Sequence, residues 1–427
     1  MRKISFFLIA TFWMIVGASL TSWALDLDSE TLAKLKAELK KELREEIKKE
    51  LRDEIKQELQ EEQARSLKEA FAREAEAEHA RHEEPLITYE RGEGLAINDQ
   101  RLVFRGFGDV SFGAQDDRNG PKDDHNQFAV GDFDLFFNTR LTDRISGLGE
   151  IFFEFGEDGE LVTDFERLVI QYSLRDWLNL SAGRHHTPMG YWNAAFHHGK
   201  FFQTPIDRPL VVEFEDDGGL LPVHALGVEV FGKKDFRLFN LGYSFDISNG
   251  RGPGIDVIQN SKDFNDNKAL AFQVSLSPNP IPGLRIGSNL YLDRIPANRD
   301  VPGGTRRIKE RILGGHLAYL ENNWELISEV FHIQHKERSL SKKFKTTGFY
   351  LLAAYQWNKF KPFYLFENIN FDEGDPFYAP NDSDRSKHAF GLKYDLTLYN
   401  NLKFQYSYID GDDKDSHLFQ FATSFSF

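Results

Sequence analysis

Residues 419–427 read FQFATSFSF, with Phe recurring at alternate positions up to the last residue. Strict alternation is the period of a β-strand, so Phe419, Phe421, Phe425 and Phe427 share one face. Gln420, Ala422, Ser424 and Ser426 share the other. A soluble core and a lipid bilayer would accept such a face equally. The rest of the chain decides between them.

The same period of two runs back to residue 101 and predicts sixteen strands. They cover 103–112, 127–140, 145–155, 163–173, 178–183, 223–231, 237–245, 268–276, 284–292, 307–320, 324–333, 346–357, 361–370, 387–396, 402–408 and 416–427. Short connections (TDR, RDW, KKDF, PNPIPG, ENN, NK) alternate with long polar ones such as AQDDRNGPKDDHN and SNGRGPGIDVIQNSKDFNDN. A transmembrane barrel with short periplasmic turns and long external loops requires this alternation and an even strand count.

Facing residues agree. Ile151, Phe153 and Phe155 point one way and Glu150 and Glu154 the other, while Phe133, Leu135 and Phe137 oppose Asp132, Asp134 and Arg140. Trp177, Phe236, Trp324, Trp357, Phe360 and Tyr399 fall at the short-turn ends, as in an interfacial aromatic girdle. A soluble sandwich has no reason to ring one end with aromatic residues. The expected fold class is all-β, a 16-stranded antiparallel transmembrane β-barrel over 101–427. The opening stretch becomes its closing strand, with Phe toward lipid and Ser and Gln toward the lumen. Its terminal aromatic resembles the recognition signal of bacterial outer-membrane proteins.

Composition bounds the partners. The net charge of -15 argues against nucleic acid, because phosphates need a basic face. With 39 Phe against 3 Met, the apolar residues favour strands. Arg2 and Lys3 precede an apolar run closed by Ser22-Trp23-Ala24, which predicts a signal peptide at 1–24 and export. With 0 Cys, a disulfide scaffold is excluded.

Residues 25–84 predict a long periplasmic helix, with 85–100 as a linker to the barrel. Leu35, Leu39, Leu43, Ile47, Leu51, Ile55 and Leu59 recur at a spacing of four within strong helix formers, and no Pro or Gly interrupts 28–82. Such a helix would be roughly 75 Å long. A spacing of four turns the apolar stripe about 40° per step, so it winds instead of forming a straight heptad seam. A solvated single helix and an oligomeric coiled coil both fit this pattern. His79 and His82 lack carboxylate or Cys company and read as solvated.

One external connection is too long and too apolar to stand in water. Residues 184–222 carry Trp192, Phe196, Phe201, Phe202, Val211 and Val212. Sixteen-stranded barrels enclose an aqueous channel, and this loop folded inward would narrow it. Arg184, His185, His186, His197, His198, Lys200 and Arg208 would then ring the constriction.

The segment AGRHHTPMG, with Gly183, Arg184, Pro188 and Gly190, resembles the corresponding segment of the phosphate-selective porin O and P family. The preceding helix is similar to that of related trimeric porins with periplasmic coiled coils. The resemblance implies a homotrimer of sixteen-stranded, substrate-preferring diffusion channels in outer-membrane lipid. It also implies an Arg ladder on the channel wall, and this sequence departs from that. The wall census is Arg105, Arg140, Arg167, Arg285, Lys393 and Lys403 against a larger acidic set. That set comprises Asp109, Asp132, Asp134, Glu150, Glu154, Glu229, Asp293, Glu325, Glu329 and Asp395. The balance favours cations among small charged solutes.

Adjacent His residues in an extended chain point to opposite faces, so neither His-His pair chelates a metal alone. No GxSxG or other nucleophile spacing points to catalysis. No cofactor, metal or catalytic residue is expected. A non-conducting tether or adhesin barrel is the alternative reading.

Overall fold

A computed structural model describes residues 102–427, apart from loop positions 119–124, 156–158, 197–198, 215–217, 256, 258–261, 299–306, 339, 341, 380–382 and 413–414. It also describes two short strands, β1 (Ile87–Glu90) and β2 (Gly94–Ile97), and scattered positions between Lys34 and Glu69. The expected signal peptide at 1–24 lies outside the described residues. The chain divides into two units, Met1–Glu84 and Pro85–Phe427.

In the first unit every described residue between Lys34 and Glu69 is helical. Exposed pairs Lys48–Glu45 (3.3 Å) and Arg65–Glu69 (3.2 Å) follow the i,i+3 and i,i+4 spacings that support a helix in water.

The second unit is an antiparallel barrel. Its strands are β3 (Leu102–Arg118), β4 (His125–Arg140), β5 (Ile145–Phe155), β6 (Leu161–Arg175), β7 (Leu178–His186), β8 (His224–Asp235), β9 (Phe239–Ser248) and β10 (Ala269–Pro278). They continue with β11 (Leu284–Ile295), β12 (Ile308–Glu321), β13 (Trp324–Glu337), β14 (Phe344–Tyr355), β15 (Phe360–Phe371), β16 (Arg385–Thr397), β17 (Asn400–Gly411) and β18 (Asp415–Ser426). Each strand pairs with the next, and β18 pairs with β3, which closes the sixteen strands into a barrel. Phe427 completes the seam through two backbone bonds with Gly106, at 2.9 and 3.1 Å.

Two differences from the sequence reading are informative. The stretch read as a linker at 85–100 contains β1 and β2, which pair with each other, and β2 pairs with the start of β3. Ile87, Thr88, Tyr89 and Ile97 are β-formers, and the ladder at the start of β3 extends over this stretch. Most strands also run further at the long-loop end. The expected 324–333, for example, is Trp324–Glu337. The added residues 334–337, QHKE, are all polar, yet the backbone ladder continues through them.

The outer face is what lipid requires. Phe419, Phe421 and Phe425 are 49%, 45% and 41% exposed, while Ala422 and Ser424 on the other face are buried. At the short-turn ends Trp177, Phe236, Trp324, Trp357 and Phe360 stand exposed in a ring. The turns there are tight. Asn322 and Asn323 both have positive φ (53° and 67°), the two-residue hairpin geometry that matches strand twist.

The lumen is not an empty tube. Inward positions of β11–β15 carry Ile295, Ile312, Ile327, Phe331, Leu352, Leu365 and Ile369, all essentially fully buried. They form one apolar cluster with Met189, Trp192, Val211, Val212, Leu220 and Leu221, which belong to the connection between β7 and β8. This core lies inside the barrel.

A charged gap between an inserted loop and the barrel wall

The connection 187–223 enters the lumen because backbone groups along it meet inward side chains from β10 to β18. Gly190 turns first, at φ +72° and against the Glu329 carboxylate, where a Cβ would collide. That close approach lets the Glu329 carboxylate accept from the Tyr191 N–H (2.6 Å), the Trp192 N–H (2.8 Å) and the Tyr350 hydroxyl (2.7 Å). The short helix Trp192–Ala195 follows. Trp192 is fully buried against Phe196, with ring centroids 4.7 Å apart, and meets Tyr350 edge-on at 5.8 Å.

Further along, the segment is held by polar anchors. The buried Lys403 ammonium donates to the carbonyls of Gln203 (2.7 Å), Pro205 (3.0 Å) and Lys200. The Gln405 side-chain carbonyl accepts from the Ile206 N–H at 2.9 Å. Asp207 accepts from Gln420 (2.7 Å), Gln405 (2.8 Å) and Lys387 (3.2 Å). The Arg208 guanidinium donates to the Val212 carbonyl at 2.7 and 2.9 Å and lies over the Phe214 ring at 4.2 Å. Leu220 and Gly218 are tied by their carbonyls to Tyr378 (2.9 Å) and Arg385 (2.8 Å).

These anchors leave a cavity of about 230 Å³ between the loop and the wall. Four acidic residues line it, Asp132, Glu154, Asp207 and Glu213, against three basic ones, Lys200, Arg208 and Lys387. Lys200 bridges the gap toward Asp132 (3.4 Å) and Asp109 (3.8 Å). Burial would lower the Lys200 pKa, but Asp132, Asp109 and Asp207 together hold it above the ordinary lysine value. Burial would raise Asp207, yet the Lys387 ammonium and the Gln420 hydrogen bond hold its carboxyl below the usual carboxylate range.

Of the residues expected from sequence at the constriction, Lys200 and Arg208 line the cavity. Arg184 is buried and donates to the Glu166 carbonyl at 3.2 Å, where Glu166 is the extra residue of a β-bulge. His185 is buried between the Asp246 carboxylate (2.8 Å) and the Gly183 carbonyl (3.1 Å). His186 is half-buried, its ring 6.0 Å from that of His224. His197 and His198 lie outside the described residues.

Of the expected wall residues, Asp132 and Glu154 line the cavity and Arg105 stands exposed. Asp134 and Glu150 are buried, with Glu150 paired to Arg167. Glu325 is taken up by the Thr204 hydroxyl (2.7 Å) and by Lys361, and Glu329 by the loop backbone. Sequence reasoning missed Asp207, Glu213 and Lys387. Lys387 was within reach, since period two places it on the same face as Lys393. Asp207 and Glu213 sit in irregular chain with no period to read.

No protein-family model matches the chain, and no curated protein does. Among solved structures it is similar to the anion-selective porin from Comamonas acidovorans, at 12% identity and a TM-score of 0.56, over 76% of this chain and 99% of that one. It is also similar to OmpF of Salmonella typhi, solved as a complex with daunomycin (13% identity, TM-score 0.52, 80% of this chain and 100% of that one). A third likeness is to the outer membrane channel DcaP of Acinetobacter baumannii (11%, 0.51, 78% and 100%). At these identities the likenesses establish a fold and no family. The fold is the sixteen-stranded outer-membrane porin barrel.

Proposed function

We propose that this chain is a bacterial outer-membrane porin that passes small charged solutes by diffusion through a barrel narrowed by its third external loop. The observation that carries the reading is the charged gap of about 230 Å³ between loop 187–223 and the wall. Its four-to-three excess of acidic over basic lining residues supports a mild cation preference. Solute choice by fixed charge would then act at Asp132, Glu154, Lys200, Asp207, Arg208, Glu213 and Lys387. Membership of the phosphate-selective porin O and P family is not assumed, and the absence of an Arg ladder in the sequence speaks against phosphate preference. We further propose export by the signal peptide at 1–24, a periplasmic helix over 25–84 and assembly as a homotrimer, which chemical cross-linking of the purified chain would check.

Planar-bilayer recording tests the channel. Wild type should conduct in a KCl gradient with a reversal potential of the sign for K⁺ over Cl⁻. Shortening 193–217 should raise single-channel conductance several-fold, because it removes the material that fills the lumen. Unchanged conductance on shortening would place the loop outside the ion path. The non-conducting tether is kept as a second reading, because an apolar core packs inside the lumen. Absence of conductance steps from wild type and appearance of steps in the shortened variant would favour it.

A further inference from the structure

A second charged feature lies on the outside of the barrel, where lipid-facing residues are expected. At the long-loop end of β11–β13, Arg294, Lys309 and Lys336 are exposed and sit directly across from one another, Arg294 opposite Lys309 and Lys309 opposite Lys336. One row toward the membrane, Leu292, Arg311, Gln334 and Lys345 form the next lateral line. Arg307 and Arg338 add two exposed cations at the rim. The outward positions of β11–β14 in this upper region contain no acidic residue.

Like charges directly opposite across a sheet destabilise it, and Arg294, Lys309, Arg311 and Lys336 have no ion-pair partner among the described residues. Strand spacing puts the three cations of the upper row within roughly 10 Å, the span of one or two phosphate groups. Arg294, Arg307, Lys309, Lys336 and Arg338 line a shallow cavity of about 400 Å³. Its one acidic lining residue, Glu337, is buried.

Position selects the partner. Below the cations the same outer face becomes Leu292, Leu313, Leu317, Val330 and Leu351, exposed and apolar. From the girdle residue Trp324 to Lys336, β13 climbs roughly 30 Å along the barrel axis at about 3.3 Å per residue and a tilt near 40°. An outer-membrane apolar band is about 25 Å tall, so the cations stand just above it, at headgroup level. Acyl chains on the leucines and phosphates on the cations would satisfy both surfaces with one molecule. A soluble anion would use only the cations, and an acidic protein would leave the apolar face unaccounted for.

We infer that this face binds the phosphorylated headgroup of a lipid in the external leaflet. The inference rests on the outer-membrane reading above, but it concerns the outer wall and not the pore. The test uses the full chain in detergent, with bisphosphorylated lipid A, phosphatidylcholine and inorganic phosphate as separate probes, read by native mass spectrometry. Wild type should retain lipid A and neither of the others. A variant carrying R294Q, K309Q and K336Q should bind lipid A at least tenfold more weakly. A control carrying K233Q and K234Q, exposed cations near the short-turn end, should bind as wild type does.

The outer-wall variant removes repulsion, so it should fold, which heat-modifiable migration checks. Its bilayer conductance should equal that of wild type. Equal lipid A binding by wild type and the outer-wall variant would overturn the inference, as would retention of inorganic phosphate to the same extent as lipid A. Either result would leave the conductance reading standing, and loss of conductance with lipid binding intact would overturn only the channel.

Discussion

The two parts of the inner wall hold the same loop with different mixtures of apolar and polar contact. Over β11–β15 the wall presents Ile, Leu, Phe and Tyr, which the loop meets with Met189, Trp192, Val211, Val212, Leu220 and Leu221. Among them it sets Glu325 and Glu329, which bond Thr204 and the Tyr191 and Trp192 N–H groups. Over β3–β5 and β16–β18 it presents Asp132, Glu154, Lys387, Lys403 and Gln405, and the loop answers with backbone carbonyls, Asp207 and Lys200. The apolar contact excludes water on its side of the lumen. The polar contact tolerates water, so the remaining gap lies there. The gap and the firmly held loop coexist because the apolar packing and the charged lining fall mainly on different strands.

The largest effect should come from breaking the apolar side at its centre. Trp192→Ala deletes a fully buried ring, and large-to-small changes at such sites destabilise by about 3–5 kcal/mol. The barrel itself has its own closed ladder, so the loss should appear as loop undocking. Limited proteolysis should cut within 187–223 in the variant and spare wild type, while heat-modifiable migration stays unchanged. Equal protease resistance would mean that the polar anchors alone suffice.

Breaking the polar side should come next. Lys387→Met leaves Asp207 and Glu367 without the ammonium they share at 3.2 and 3.5 Å. Removing one partner of a buried pair is worth about 3–5 kcal/mol at full burial, less here because water reaches Asp207 in the gap. Current noise from a loosened loop should rise without a rise in protease sensitivity as large as that of Trp192→Ala. A larger sensitivity than in Trp192→Ala would reverse the ranking of the two walls.

The smallest effect should be that of pH on docking. Asp207 is held below the ordinary 3.8, so its contribution is complete above about pH 4 and is lost only as pH falls through the lowered value. Lys200 is held above the ordinary 10.5, so its contribution is complete below that pH and is lost as pH rises through the raised value. Between pH 5 and 9 these two groups predict constant conductance. We propose that a response between about pH 5 and 8 comes from His197 and His198, and it should then vanish in a His197→Ala/His198→Ala variant. A response that persists in that variant would refute the assignment.

Alternation made the strands and their facing legible, from Phe419 to Phe427 and from Glu150 to Phe155, because a strand's two faces follow from the backbone alone. The aromatic ring at the short turns told lipid from a soluble core. The loop's need for cover was also readable from its apolar residues, of which Trp192, Val211 and Val212 are buried while Phe202 stays 51% exposed. The sequence did not reveal that it would find that cover on β11–β15, because Ile312, Phe331 and Leu352 face inward in strands whose outer faces are apolar too. Such strands read as continuous hydrophobic runs, and their lumen side looks no different from a lipid side.

By itself, the sequence determined the barrel, its strand number and the residues that share each face, because those depend on a local period and on turn chemistry. The tertiary structure decided which charges meet. Asp207 reaches Lys387 across 180 residues, and Lys403 reaches the carbonyls of Gln203 and Pro205 across a similar distance in sequence. Closure of the sheet between β18 and β3 fixes those neighbours. Pairings of that range carry no local signature, because the free energy that selects them comes from burial inside a lumen that exists only once the barrel has closed.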